Sequence, residues 1–150
     1  MTARREFERI MGLDVGGKRT GVAISDELGI TANPICYVSR GDNDRDDFRT
    51  IILRYGVTRL VAGLPSSLSG KEGPQAAEVR IYAEALADDL DLPLNYWDER
   101  LTSAMAERAL VDSGAKKSKR KEQIDAVAAA IMLQNYLDAQ ANRKRRGITG

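Results

Sequence analysis

Apolar residues along this chain fall into short runs, and the runs follow two rhythms. "RIMGLDVG" and "RTGVAISD" are compact apolar stretches bounded by Gly, Asp and charged residues, which is the pattern of strands; "GGKR" between them is long enough only for a hairpin turn. "ITANPICYVSR" reads as a third strand, with Pro34 demoting part of it to a sheet edge or an irregular start. From Asp46 to Tyr55 the rhythm changes, because Phe48, Ile51, Ile52 and Tyr55 stand at helical spacing. "VTRLVAGLP" is again a strand, ended by Pro65 and the loop "SSLSGKEG". Pro74 suits the first turn of a second helix, with Ala77, Tyr82, Ala85 and Leu86 on or near its apolar face. "LPLNYWDER" follows as a fifth strand, and "LTSAMAERALVDSG" as a helix that Gly114 ends. After the basic loop "AKKSKRKEQ", a long helix runs from about Gln123 to Gln140.

Three strands followed by alternating helix and strand imply an α/β fold. The sheet is mixed and five-stranded, strands 1–3 form an antiparallel meander, and helices flank it. A length of 150 residues without repeat or linker fits one domain over 1–150, with about 1–8 and 141–150 expected as flexible tails. The apolar stretch around Ala126 to Leu133 is far short of a membrane span, and "MTARREFERI" lacks the apolar core of a signal peptide. Cys36 is the only cysteine, so no internal disulfide forms, and a cytoplasmic location is expected.

Composition narrows the chemistry further. The chain has no histidine, which excludes Ser-His-Asp and Cys-His catalysis and His-ligated zinc. One cysteine excludes a thiolate metal cage. A hydrolase with this composition is left with carboxylates that hold hard cations.

Three acids fit that role. Alternation along the first strand puts Ile10, Gly12 and Asp14 on one face and Met11, Leu13 and Val15 on the other, and Gly12 is expected to leave open space beside Asp14. A cap on the Gly16-Gly17 turn is the competing reading of Asp14. In "WDERLTS" Asp98 and Glu99 point to opposite faces, so at most one shares the face of Asp14; pairing with Arg100 is the plainer reading. In the last helix Asp125, Ala128, Ala129 and Met132 form one stripe, which puts Asp125 on the sheet-facing arc beside small alanines. Its competing reading is dipole complementarity in the first helical turn. Carboxylates gathered within a few ångströms repel one another unless divalent cations neutralise them, and oxygen ligands suit Mg²⁺ or Mn²⁺. Two such ions would activate water and stabilise the leaving oxygen in phosphodiester cleavage.

"GLDVGGKRTGVAISD", "VAGLPSSLSGKEGPQA", "WDERLTSAMAE" and "IDAVAAAIMLQNYLD" together resemble the YqgF family, also called RuvX, from about Ile10 to Asp138 and with every motif in order. These are bacterial ribonuclease H-like proteins, described as Holliday junction resolvases or pre-16S rRNA nucleases. The resemblance implies a ribonuclease H-like fold and puts the catalytic, metal-holding acids at Asp14, Glu99 and Asp125, so it selects Glu99 over Asp98. The loop Ser66 to Gly70 departs from the family's "GLPLNMDG"-like pattern, and its Asn and Asp are missing here.

Charge distribution adds a partner. Lys116, Lys117, Lys119, Arg120 and Lys121 precede the last helix and Arg143, Lys144, Arg145 and Arg146 follow it, nine of the 23 basic residues in a chain of net charge +1. Clustered Lys and Arg suit a nucleic-acid backbone, the first cluster more than the tail because it leads into the helix of Asp125; Lys18 and Arg19 in the opening turn could reach phosphates too. The family resemblance makes the expected function a metal-dependent nuclease acting on pre-rRNA at the 5′ end of 16S, with branched-DNA resolution as the alternative that nothing in the residues separates from it. A non-catalytic RNA- or ribosome-associated factor is the alternative of another class. "GLDVGGKRTGVAIS" also resembles the phosphate loop of actin-like and sugar kinases, which need two such domains around a nucleotide.

Overall fold

The computed structural model describes residues 8–65, 73–98, 117–145 and 147, with backbone alone over 117–123. Its five strands are β1 (Ile10–Val15), β2 (Arg19–Ser25), β3 (Ala32–Ser39), β4 (Arg59–Leu64) and β5 (Leu94–Asp98). The helices among the described residues are α1 (Asp44–Tyr55), α2 (Pro74–Leu90) and α3 (Lys117–Arg145). The sheet order is β3-β2-β1-β4-β5; β1, β2 and β3 are antiparallel neighbours, whereas β4 is parallel to both β1 and β5. This is the five-stranded mixed sheet that the strand and helix order predicts. The "SSLSGKEG" loop, except Gly73, and the helix expected over "LTSAMAERALVDSG" lie outside the described residues.

Pro34 sits on the outer strand β3, as a residue without an N–H is expected to. The pairing of β2 with β3 skips a residue there, from Val22 opposite Cys36 to Ala23 opposite Pro34. Alternation divides the sheet cleanly. Met11, Leu13, Val15, Val22, Ile24, Leu60 and Ala62 face α1 and α2, in a core with Phe48 and Leu86. Ile10, Ala23 and Val61 face α3 and pack with Ala129, Met132, Leu133 and Tyr136.

Two helical phases differ from the sequence pattern. The buried stripe of α2 is Ala76, Val79, Ala83, Leu86 and Ala87, whereas Ala77 and Ala85 are exposed. Alanine carries too little apolar surface to fix a helix phase, so Val79 and Leu86 set it. The last helix is also longer at both ends. It begins at Lys117, which puts Lys117, Lys119, Arg120 and Lys121 on a helix rather than in a loop, and it continues through 141–145, where a tail is expected. Lys, Arg, Gln and Ala are good helix formers, and Arg143, Lys144 and Arg145 suit the negative end of the helix dipole.

Candidate metal and nucleic-acid site

β1 and β2 are joined by the tight turn over Gly16 to Lys18, closed by the Gly16 N–H donating to the Arg19 carbonyl at 2.8 Å. That turn sets a register in which Asp14 lies directly opposite Gly21 and Gly12 opposite Ala23. Side chains of directly opposed residues emerge on the same face, with Cα atoms about 5 Å apart. Asp14 is half-buried on that face, near the carboxyl end of β1.

Gly21 brings the second acid there. A Cβ on Gly21 would fall on the carbonyl of Asp125 and lie 3.0 Å from its Cα, so the backbone of α3 rests on β2 where any side chain would hold it off. Gly12 works the same way one step along: a Cβ there would meet Leu133 Cβ at 2.9 Å and the Ala129 carbonyl at 3.4 Å. The open space expected beside Gly12 is therefore filled by Leu133, and Gly12 serves helix contact rather than room for Asp14. Gln134 fixes the helix against β3, its Oε1 accepting from Ala32 N–H at 2.9 Å and its Nε2 donating to the Ile30 carbonyl at 2.8 Å. Because α3 begins at Lys117, Asp125 stands two turns inside it, and an N-terminal dipole no longer explains the acid.

Asp125 meets a cation of the chain itself. Arg19 Nε stands 2.7 Å from Asp125 Oδ2, with the two side chains 39% and 23% exposed. This Oδ2 is shielded from solvent yet receives no hydrogen bond, so the contact is ionic proximity with the N–H aimed elsewhere. The Arg19 guanidinium also lies 5.2 Å from the centre of the Tyr37 ring. A cavity of about 440 Å³ opens at this point, lined by Gly16, Gly17, Lys18, Arg19, Tyr37 and Asp125 together with Ser39.

The turn is braced from behind. Arg40 donates from Nη1 to the Gly16 carbonyl at 2.8 Å, pairs with Glu78 at 2.7 Å and lies 4.1 Å over the Tyr82 ring. Tyr82 in turn donates to the buried Asp44 at 2.5 Å, and Arg45 pairs with Asp44 at 3.0 Å. Burial pushes the Asp44 carboxyl up, but the hydrogen bonds from Tyr82 and Arg45 and the charge of Arg45 outweigh it and hold it below the usual carboxylate range. Burial and the Asp44 hydrogen bond push the Tyr82 hydroxyl up to about 12. Cys36 is half-buried, and burial followed by the nearby Asp47 pushes its thiol up, away from nucleophilic use.

Lys18, Arg19 and Asp125 thus line one cavity, Asp14 stands across from Gly21 at the same end of the sheet without lining it, and Glu99 and Lys116 lie outside the described residues. Lys117, Lys119, Arg120 and Lys121 occupy the two turns of α3 before Gln123 and the Asp125 region. Among the described residues no group of three or more acids or thiols stands close enough to hold a metal ion. Trp97, two residues before Glu99, is on the α3 face, where it packs edge-on against Tyr136 at 6.2 Å. Gly21, Tyr37 and Arg40 escaped the sequence reading. Gly21 had a signal: a glycine inside a strand marks a bulge or a close approach, and counting back through the hairpin places it opposite Asp14.

A sequence profile described as "RuvX: Holliday junction resolvase" matches residues 8–139. A Listeria monocytogenes protein named "Putative pre-16S rRNA nuclease" is 46% identical over 134 residues, covering 87% of this chain and 97% of its own. A Heliobacterium modesticaldum protein of the same name is 42% identical over 136 residues, covering 89% and 91%. In fold the chain is similar to Thermus thermophilus RuvC bound to a Holliday junction substrate, with a TM-score of 0.54 at 13% identity, over 90% of this chain and 96% of that one.

Proposed function

The chain belongs to the RuvX (YqgF) family with its RuvC-like ribonuclease H fold, and on that premise we propose that it is a divalent-metal-dependent nuclease maturing the 5′ end of pre-16S rRNA. One observation carries the reading: the backbone of Asp125 seated on Gly21, directly across from Asp14. It supports two carboxylates sharing one end of one face. The donor set fits a hard cation, because both donors are carboxylates and Asp125 Oδ2 is buried without a hydrogen bond. Asp14 and Asp125 would hold the metal, with Glu99 as the third ligand that the family motif assigns.

Mg²⁺ or Mn²⁺ held there would supply Lewis acidity at the phosphodiester and ease deprotonation of the nucleophilic water. The remaining work falls to the chain. Lys18 and Arg19, at the cavity beside Asp125, offer positive charge to the phosphates that flank the reacting one. The basic turns from Lys117 to Lys121 extend that attraction along the backbone of the nucleic acid, which predicts salt-sensitive binding. Arg40 holds the turn that carries Lys18 and Arg19 in place through the Gly16 carbonyl.

The RNA reading rests on the names of the curated relatives; branched DNA is the second reading, favoured by the description of the family profile. Incubating the purified chain with a 16S precursor fragment and with a four-way DNA junction, in Mg²⁺, Mn²⁺ or EDTA, separates them. Cleavage of the precursor in either metal, none in EDTA and an intact junction are expected. A cut junction beside intact RNA overturns the RNA assignment, and binding without cleavage in every metal makes the chain a non-catalytic factor.

A further inference from the structure

Arg19 pairs with the same Asp125 carboxylate that would hold a metal, and this points to a role beyond general attraction of phosphate. Its Nε lies 2.7 Å from an Asp125 oxygen that receives no hydrogen bond, so the pair is held by charge with little directional bonding to break. On its other side the guanidinium has the Tyr37 ring at 5.2 Å, a second resting place on the wall of the same cavity. Cation–ring contact stabilises a guanidinium that has given up its carboxylate. The cavity, about 440 Å³ with Lys18 and the turn glycines on its rim, has room for a phosphate beside the released side chain.

Resting on the metal reading above, we infer that Arg19 is an exchangeable counter-ion. In the metal-free chain it neutralises Asp125 and keeps two nearby acids compatible with folding. When a divalent cation binds, Arg19 yields the carboxylate, shifts toward Tyr37 and presents its guanidinium to a nucleic-acid phosphate in the cavity. Metal loading and phosphate capture are thereby linked through one side chain.

Calorimetric titration with Mn²⁺ alone tests the exchange without any turnover. Arg19→Gln removes the competitor, so it binds Mn²⁺ about fivefold tighter than wild type, the ratio that corresponds to the upper range of partly exposed ion pairs. Lys18→Gln removes an equal charge from the same turn without touching Asp125, and its gain is expected to be smaller. In nitrogen-15 spectra the Arg19 Nε–H signal, identified by its loss in Arg19→Gln, moves on Mg²⁺ addition and moves again when a short single-stranded RNA follows. Equal Mn²⁺ affinity in Arg19→Gln and wild type, an equal gain in Lys18→Gln, or an Nε–H signal indifferent to Mg²⁺ overturns the exchange while leaving metal binding intact. Failure of wild type to bind Mn²⁺ at all overturns the metal reading, and the exchange with it.

Discussion

On one face of the sheet the side chains are large and interlocked; on the other they are small where it matters most. Toward α1 and α2 the sheet presents Met11, Leu13, Val22, Ile24 and Leu60, all buried against Phe48, Val79 and Leu86. Toward α3 it presents Gly12, Gly21 and Ala23, and the helix answers with Ala129 and Ala130. Bulky residues keep a helix about 10 Å from a sheet and fill the gap with apolar contact. Glycine facing alanine removes the gap and lets backbone meet backbone. The first face makes the fold stable. The second places an acid of a helix beside an acid of a strand.

Substitutions should separate the two. Phe48→Ala, fully buried on the first face, is expected to cost about 3–5 kcal/mol of stability, read from denaturant midpoints. Its cleavage rate per folded molecule should stay at the wild-type level. Gly21→Ala on the second face acts in the opposite sense. The new methyl meets the backbone of Asp125, which cannot step aside as a flexible side chain would, and α3 must move. A displacement near 1 Å is expected to lower the rate by about 10²-fold. Gly12→Ala puts its methyl 2.9 Å from Leu133 Cβ, an atom fixed by the helix backbone, so α3 must give slightly there too, and about 1–3 kcal/mol of stability with a rate loss smaller than that of Gly21→Ala is expected. A Phe48→Ala variant as rate-deficient as Gly21→Ala would show that the division between the faces is false.

The smallest effects are those of pH. Asp44 is held below its ordinary value, so its contribution to stability is present above the unfolded carboxylate range and fades as pH falls through the lowered folded value. Tyr82 is pushed up from 10.0 to about 12, so its contribution is whole below pH 10 and is lost as pH rises from there toward 12. Tyr96 is pushed up to about 12 as well, by burial and then by its hydrogen bond to Glu84, and adds to the same alkaline loss. Thermal unfolding of Tyr82→Phe followed from pH 10.0 to about 12 should show a shallower alkaline decline than wild type.

The sheet was largely readable from sequence because its strands are short apolar runs cut by Gly, Pro and charge. The face of Asp14 was readable from alternation alone. Helix phase was less so: Ala77 and Ala85 look apolar but are exposed, since alanine scarcely distinguishes core from surface. The boundaries of α3 were hidden because Lys, Arg and Glu form helix without an apolar stripe to announce it. The approach of α3 at Asp125 to the strand position across from Asp14 was legible only as two acids on inward faces. What joins them is the lack of a side chain at Gly21, and the partner of an absent side chain is written nowhere in the local sequence. Arg19 looked like an ordinary turn charge for the same reason, since its partner lies 106 positions along the chain.

The central claim is that Asp14 and Asp125 act together as the metal-holding pair of a nuclease. The most direct measurement is single-turnover cleavage of a 16S precursor fragment in Mg²⁺ by wild type, Asp14→Asn and Asp125→Asn, each checked for an unchanged circular dichroism spectrum and melting temperature. Wild type should cut, and each variant should be slower by at least about 10²-fold, as expected when one electrostatic partner of a transition state is removed. Cleavage at the wild-type rate by either folded variant would contradict the account.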